Sequence, residues 1–468
     1  MKERRRHARK ERRRAAPADG ARSPADSPSS AHSRPASGSA AVPDAPASSR
    51  GKRPTGVLRT IGLGLITGAA DDDPSAIGTY ASVGARFGPE FLWTAPVTFP
   101  MMVAVVYLSA KLGQVAGEGL FAVLRRHYSR WLLYPVLLGV LIGNTIEAGA
   151  DIGGVAAALN VVLPIPIPWI VILTTAFVLA LQLWGSYSFI RNVLRVLALS
   201  LLAYVGSAFL AHPDWGTVLR GTLVPSIHFD RDFLAMIVAV IGTSLSAYLY
   251  TWQSNQEVEE EIALGRRRLS DRVGATDAEL RHSWWDVTAG MFFSNVVMYF
   301  IILSTAATLF VAGHHSIDNA AQAAEALRPI AGNAAGILFA LGVVGVGLLA
   351  VPVMTTGAAY DLSQALGWKQ GLNKRPSEAK RFYAAITCFV LAAMGMNFFG
   401  INPMKALVWA GIVQGFSTPP LLFLILRMTN SRRIMGERVN GRALNVLAYI
   451  TTAAIFAASL SLIVSWML

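Results

Sequence analysis

Apolar runs of about 20 residues recur along this chain, separated by short polar joints. Each run is apolar all round rather than along one stripe, the pattern of a segment that crosses a bilayer. Eleven such segments are predicted, near 57–85, 91–111, 131–163, 168–187, 193–211, 232–262, 285–312, 331–364, 382–400, 404–428 and 443–467. Several exceed one bilayer thickness, so tilt or interruption is expected. Composition agrees. A soluble domain carries roughly a quarter charged residues, whereas here 15% are charged and 53% hydrophobic. The chain reads as an all-α polytopic membrane protein.

Charge sets the expected orientation. Residues 1–53 hold 14 Lys and Arg against 5 Asp and Glu, which is +9 of the chain's +13. This stretch is Arg-rich and then rich in Ala, Pro, Ser and Gly, too poor in apolar surface to bury a core. Residues 1–55 are therefore expected to form a disordered basic cytoplasmic tail, able to rest on anionic lipid, with nucleic-acid binding not expected. It is not read as a signal peptide, because the first apolar run begins near Val57. Beyond it, basic joints (Arg125, Arg126 and Arg130; Arg191 and Arg195; Arg266 to Arg268; Lys369 to Arg381; Arg427 to Arg442) alternate with short or acid-balanced ones. The positive-inside rule then puts the N-terminus in the cytoplasm and, with eleven spans, the C-terminus outside, in a plasma or inner membrane. The single cysteine, Cys388, excludes an intrachain disulfide or a thiolate cage and is read as a small buried hydrophobe.

The first span is interrupted. Asp71, Asp72 and Asp73 lie about 14 residues, or roughly 21 Å, into it. Carboxylates at that depth are untenable on a lipid-facing helix. Pro74 disfavours helix at the residue before it, and Gly62, Gly64 and Gly68 permit unwinding. The expected form is a helix ending near Ala70 and a second starting near Ser75, with carboxylates and freed carbonyls facing one point. A divalent cation removes the mutual repulsion of such acids. The bland alternative is an interfacial loop between two shorter helices.

The sixth span carries Gly242-Thr243-Ser244-Leu245-Ser246-Ala247-Tyr248 at its middle. Small, hydroxyl-bearing residues suit either helix packing or a second unwound segment. Their place favours the second reading: Asp73 and Ser246 are about 170 residues apart, as two inverted five-helix repeats with broken first helices require. The repeats are placed near 57–211 and 232–428, within a transporter domain at 56–468, with one extra helix at 443–467. In the third span Asn144, Glu147 and Asp151 share one helix face, fitting an ion or proton path or a structural network. Gln414 in the tenth span either completes a site or bonds a neighbouring helix, and Asp361 is expected near the cytoplasmic surface.

At these residues the chain resembles the NRAMP-type divalent metal transporters. The motifs are GLGLITGAADDDPSAIGTYASVGARFG and GTSLSAYLYTWQSNQEVEEE, and the likeness covers about residues 57–467. The nearest branch is the NRAMP-related bacterial one without the transition-metal motif. The resemblance implies a LeuT-like fold with helices 1 and 6 broken, and a secondary transporter working by alternating access. The family's Asp-Pro-Gly-Asn corresponds to Asp73-Pro74-Ser75-Ala76, so the Asn ligand is replaced by Ala76. Its Met-Pro-His corresponds to Ser246-Ala247-Tyr248, which removes thioether and imidazole together. By analogy the backbone carbonyl ligand comes from about Thr243, Gln414 matches a polar position in helix ten, and the acids of helix three match Glu147 and Asp151.

The implied metal set is therefore Asp71, Asp72, Asp73, Thr243, Ser246 and Gln414. A thioether favours softer transition metals, and its replacement by Ser246 leaves oxygen donors. Such a site suits Mg²⁺ first, and also Mn²⁺ or Fe²⁺. Loss of the histidine puts proton coupling in question. No cofactor is expected, the metal being cargo. A cationic organic solute or amino acid is the rival cargo, although the Asp triplet repels a substrate carboxylate. An intramembrane aspartyl protease is disfavoured, since Tyr360-Asp361 lacks a Gly-x-Gly-Asp partner, so no enzyme activity is expected. A receptor or scaffold without flux leaves the mid-membrane acids unexplained.

Overall fold

The computed structural model describes residues 63–184, 199–372 and 374–467, all within the unit Gly51–Leu468. The predicted tail, the start of the first span, the end of the fourth, the start of the fifth, and Arg191 and Arg195 lie outside the described residues. Among the described residues every regular element is helical. The helices used below are α1 (Leu63–Asp71), α2 (Pro74–Phe87), α3 (Thr94–Ala116), α4 (Leu120–His127), α5 (Arg130–Val162), α6 (Ile167–Trp184), α7 (Ala203–Leu210), α8 (Trp215–Leu223), α9 (Arg231–Ser244), α10 (Ala247–Ala263), α11 (Asp277–Thr305), α12 (Ala335–Leu366), α13 (Lys380–Met396), α14 (Pro403–Thr429) and α15 (Arg442–Met467).

Eight stretches of the described residues are long and apolar enough to cross a membrane. They include Arg231–Ala263, taken through its interruption. Of the eleven predicted spans, the first is present as two short pieces, the fifth is described only from residue 199, and the ninth is the 17-residue α13. The joints carry short helices that were not anticipated, among them α4, α8 and Ala320–Glu325.

Polarity is arranged inside out. Leu138, Ile142, Leu173, Phe177, Leu341, Ile450 and Leu460 are exposed, while Asp73, Glu147, Asp151, Ser246 and Gln414 are buried among the helices. Lipid is as apolar as a protein core, so an outward Leu costs nothing there, whereas a polar group must find protein partners. Cys388 follows the same logic and corrects the expectation: it sits on an exposed face of α13.

Both interruptions have local causes. Asp73 is extended (φ −66°, ψ 171°) and caps α2, its Oδ1 accepting from Ala76 N at 2.7 Å, while Pro74 supplies the first helical residue. At the second interruption Leu245 leaves the helical region (φ −126°, ψ 39°) and Ser246 is extended before Ala247 restarts the helix. So the 242–248 segment is unwound at Leu245 and Ser246, and it also packs closely. A Cβ on Gly242 would stand 2.0 Å from Gly411 O and 2.5 Å from Gly415 N, so only glycine lets α9 lie on α14. On the other side, a Cβ on Gly68 would stand 2.2 Å from Gly290 O, which seats α1 on α11. The two glycine crossings bring the two breaks against α5, which also packs on α12 and α14.

Candidate functional site

The backbone groups freed at the breaks are taken up by hydroxyls from across the site, as buried backbone requires. The Tyr248 hydroxyl lies 2.8 Å from Ala70 O and 3.0 Å from Asp73 Oδ2, joining the second break to the first. Ser246 Oγ lies 2.9 Å from Gly242 O and 3.0 Å from Thr243 O. The Tyr250 hydroxyl donates to Leu245 O at 2.5 Å. Tyr80 and Ser244 hydroxyls, 2.8 Å apart, tie α2 to α9.

Helix α5 reaches both breaks from one face. Glu147 Oε1 is 3.1 Å from Ser246 Oγ at the second break, and its Oε2 accepts from Gln414 Nε2 at 2.6 Å. Four residues on, Asp151 Oδ1 accepts from Ser75 N at 2.9 Å and Ser75 Oγ at 2.6 Å at the first break. Asn144 Oδ1 is 3.3 Å from Gln414 Nε2. Pro74 is held between α5 and α12, its ring close enough that a Cβ on Gly154 or Gly347 would touch it. Asp73, Ser75, Ala76, Glu147, Asp151, Thr243, Ser246, Ala247, Tyr248 and Gln414 are all fully buried, and Asn144 nearly so.

The Asp triplet does not act as one cage, which corrects the expectation that its carboxylates face one point. Ser294 Oγ on α11 donates to Asp71 Oδ2 at 2.5 Å and lies 3.2 Å from Asp72 Oδ1. Asp73 turns instead to Ala76 N and Tyr248. Asp71 Oδ1, Asp72 Oδ2 and Asp151 Oδ2 are buried with no hydrogen-bond partner, as is Thr243 Oγ1. Among the described residues no three Asp, Glu, His or Cys side chains converge closely enough to cage a metal ion. The arrangement offers one or two carboxylates at a time, with hydroxyl, amide and carbonyl oxygens around them. That donor set, oxygen in the main, suits a hard cation.

Several participants were not singled out from sequence. Ser294 is one of several hydroxyl residues in the seventh span, with no local signal that sets it apart. Thr67 Oγ1 donates to Gln253 Oε1 at 2.6 Å. Glu257 accepts from Gln253 at 3.0 Å, Gln114 at 2.6 Å and Ser283 at 3.1 Å, linking α1, α3, α10 and α11 below the breaks. The i, i+4 spacing of Gln253 and Glu257 was the available signal for that cluster.

The family model for natural resistance-associated macrophage protein-like (Nramp) proteins matches residues 64–465. The chain is 26% identical over 420 residues to the divalent metal cation transporter MntH of Bacillus subtilis (strain 168), covering 87% of this chain and 92% of that protein. It is 28% identical over 424 residues to MntH of Ralstonia nicotianae, with 87% and 91% covered. Among solved structures, the Eremococcus coleocola manganese transporter in complex with an aromatic bis-isothiourea substituted compound superposes with a TM-score of 0.68 at 17% identity over 88% of each chain. Mhp1 in its inward-facing conformation gives 0.54 at 14% identity, with 86% and 90% covered. At such identities these two likenesses speak to the fold alone, and that fold is the expected LeuT-like one. With the family model spanning nearly all of the described helices, this chain belongs to the Nramp family.

Proposed function

We propose that the chain is a secondary transporter that moves divalent cations across the membrane by alternating access, with Mg²⁺ preferred and Mn²⁺ or Fe²⁺ next. One observation carries the reading: two broken helices are joined through Tyr248 at their breaks, and both breaks are flanked by buried acids of α5. Such a site is costly to bury in a membrane unless it binds something cationic. The names of the relatives support the cation class, since MntH proteins are described as divalent metal cation transporters.

In this reading Asp73 is the principal ligand, with the Thr243 carbonyl, Ser246, Gln414 and Asp71 or Asp72 near the ion's path. The hydroxyl protons of Ser246 and Tyr248 occupy acceptors that the cation takes over when it binds. The preference for Mg²⁺ rests on oxygen-only donors and on few carboxylates meeting at any one point, since Mg²⁺ keeps much of its water. Glu147 and Asp151 hold neutral partners on both breaks and serve as positioning residues. Transport is driven by the cation gradient and membrane potential. The inverted repeats near 57–211 and 232–428, the extra helix near 443–467, the cytoplasmic N-terminus and the plasma-membrane location follow from the charge alternation.

The test is flux into proteoliposomes, Mg²⁺ against Mn²⁺, with internal pH followed by a dye. Mg²⁺ entry without acidification is expected, and Asp73→Ala is expected to abolish it while leaving insertion and monodispersity intact. Normal uptake by Asp73→Ala overturns the site assignment, and Mn²⁺ entry with acidification and no Mg²⁺ entry overturns the selectivity argument.

A further inference from the structure

Asp361 belongs to no part of the site described above. It is fully buried in α12, and its Oδ2 has no hydrogen-bond partner. Its carboxylate takes neutral partners, the Thr251 hydroxyl and the Asn255 amide, the latter donating to Oδ1 at 3.4 Å. Among the described residues no Lys, Arg or His pairs with it. A buried carboxylate without a counter-charge is expensive, so the fold keeps it against a cost.

Its position explains what it serves. Tyr248, Thr251 and Asn255 are spaced i, i+3, i+7 along one face of α10. Tyr248 touches Asp73, Thr251 Oγ1 donates to Tyr248 O at 3.2 Å, and Asn255 meets Asp361. Thr251 lies against α12 at Gly357, one turn before Asp361. Asn255 Oδ1 also accepts from Gln364 Nε2 at 2.6 Å. Asn255 and Gln364 stand in the wall of a cavity of about 640 Å³ that opens among Glu259, Tyr360, Trp368 and Lys369 at the basic end of the helices. From Tyr248 to Asn255 the helix rises roughly 10 Å. Asp361 therefore lies between the helix breaks and that cavity, behind the Asn255–Gln364 bond.

We infer that Asp361 is a second, inner station for the divalent cation, entered from the central site past Thr251 and left into the cavity when the Asn255–Gln364 bond opens. The inference rests on the proposed transport reading. The station takes a hydrated hard cation: one carboxylate binds directly, the Asn255 and Gln364 amide oxygens and the Thr251 hydroxyl assist, and water completes the shell. Because the ion must leave again, this station binds more weakly than the central one.

Mn²⁺ serves as the probe, its binding to purified full-length protein counted by electron paramagnetic resonance. The wild-type chain is expected to show a tight and a weaker class of bound Mn²⁺. Asp73→Ala removes the tight class and keeps the weak one. Asp361→Asn removes the weak class and changes the tight affinity by less than about threefold, and Asp361→Glu restores the weak class. If Asp73→Ala protein binds no Mn²⁺ at all, the inner station does not exist, and that result requires no variant at position 361 to fold. Unchanged binding in Asp361→Asn overturns the inference while proteoliposome flux in the wild type upholds the transport reading. Absent flux with a weak class still lost in Asp361→Asn retains the cation station and removes the transport reading.

Discussion

Tyr248→Phe isolates the contact that joins the two helix breaks. The ring of Tyr248 is fully buried, so the substitution keeps its packing and deletes only the hydroxyl. That hydroxyl has one proton for two acceptors, Ala70 O at 2.8 Å and Asp73 Oδ2 at 3.0 Å. Its loss leaves a buried backbone carbonyl or a buried carboxylate oxygen without a donor, at a cost of about 2–3 kcal/mol. The expected result is a fall of several degrees in the apparent melting temperature of the detergent-solubilised protein without divalent cation. If the hydroxyl proton stands where the cation binds, saturating Mg²⁺ supplies the missing charge to both acceptors. A hundredfold excess over Kd stabilises either protein by about 2.7 kcal/mol, and the variant gains further because its unpaired acceptors make it bind Mg²⁺ more tightly than the wild type, whose hydroxyl proton must first be displaced. The gap between variant and wild type should therefore narrow in Mg²⁺, read by thermal unfolding across a Mg²⁺ titration. An unchanged melting temperature without Mg²⁺ would refute the energetic argument. A gap that widens with Mg²⁺ would refute the exchange of proton for cation, since it would make the Tyr248 oxygen itself a ligand.

Gly242→Ala puts a Cβ into backbone atoms of Gly411 and Gly415, which forces α9 from α14 at a cost of about 1–3 kcal/mol; thermal unfolding should register it, and a melting temperature equal to wild type would show that the two helices slide apart freely. Ser246→Met brings a thioether to the second break and removes the hydroxyl that serves Gly242 O and Thr243 O. Uptake by this variant should shift toward Mn²⁺ relative to Mg²⁺, and an unchanged selectivity profile would show that residue 246 does not face the ion.

Much of the architecture is legible in the residues alone. Apolar runs longer than a bilayer is thick specify spanning helices, because an unpaired backbone group has no partner in hydrocarbon. Asp73-Pro74 specifies a break to within a residue or so, since proline limits the residue before it and Asp is a natural cap. That signal is local, and the structure realises it with α1 ending at Asp71 and α2 starting at Pro74. The Glu147 and Asp151 spacing likewise specifies a shared face, which the structure turns toward both breaks.

What each of those groups touches was decided by tertiary packing. Asp71, Asp72 and Asp73 are adjacent in the chain, but successive residues at a helix end turn by about 100°, so two of them meet Ser294 and the third meets Tyr248. Ser294 is more than 200 positions away in sequence and is brought there by the crossing of Gly68 on Gly290. The sequence 242–248 was ambiguous because small residues favour both unwinding and close approach, and here they do both. Cys388, expected inside, faces outward for a physical reason. In a membrane an apolar helix face can turn to lipid or to protein at similar cost, so hydropathy locates a span but does not orient it. The partners of its few polar groups do, and those come from distant helices.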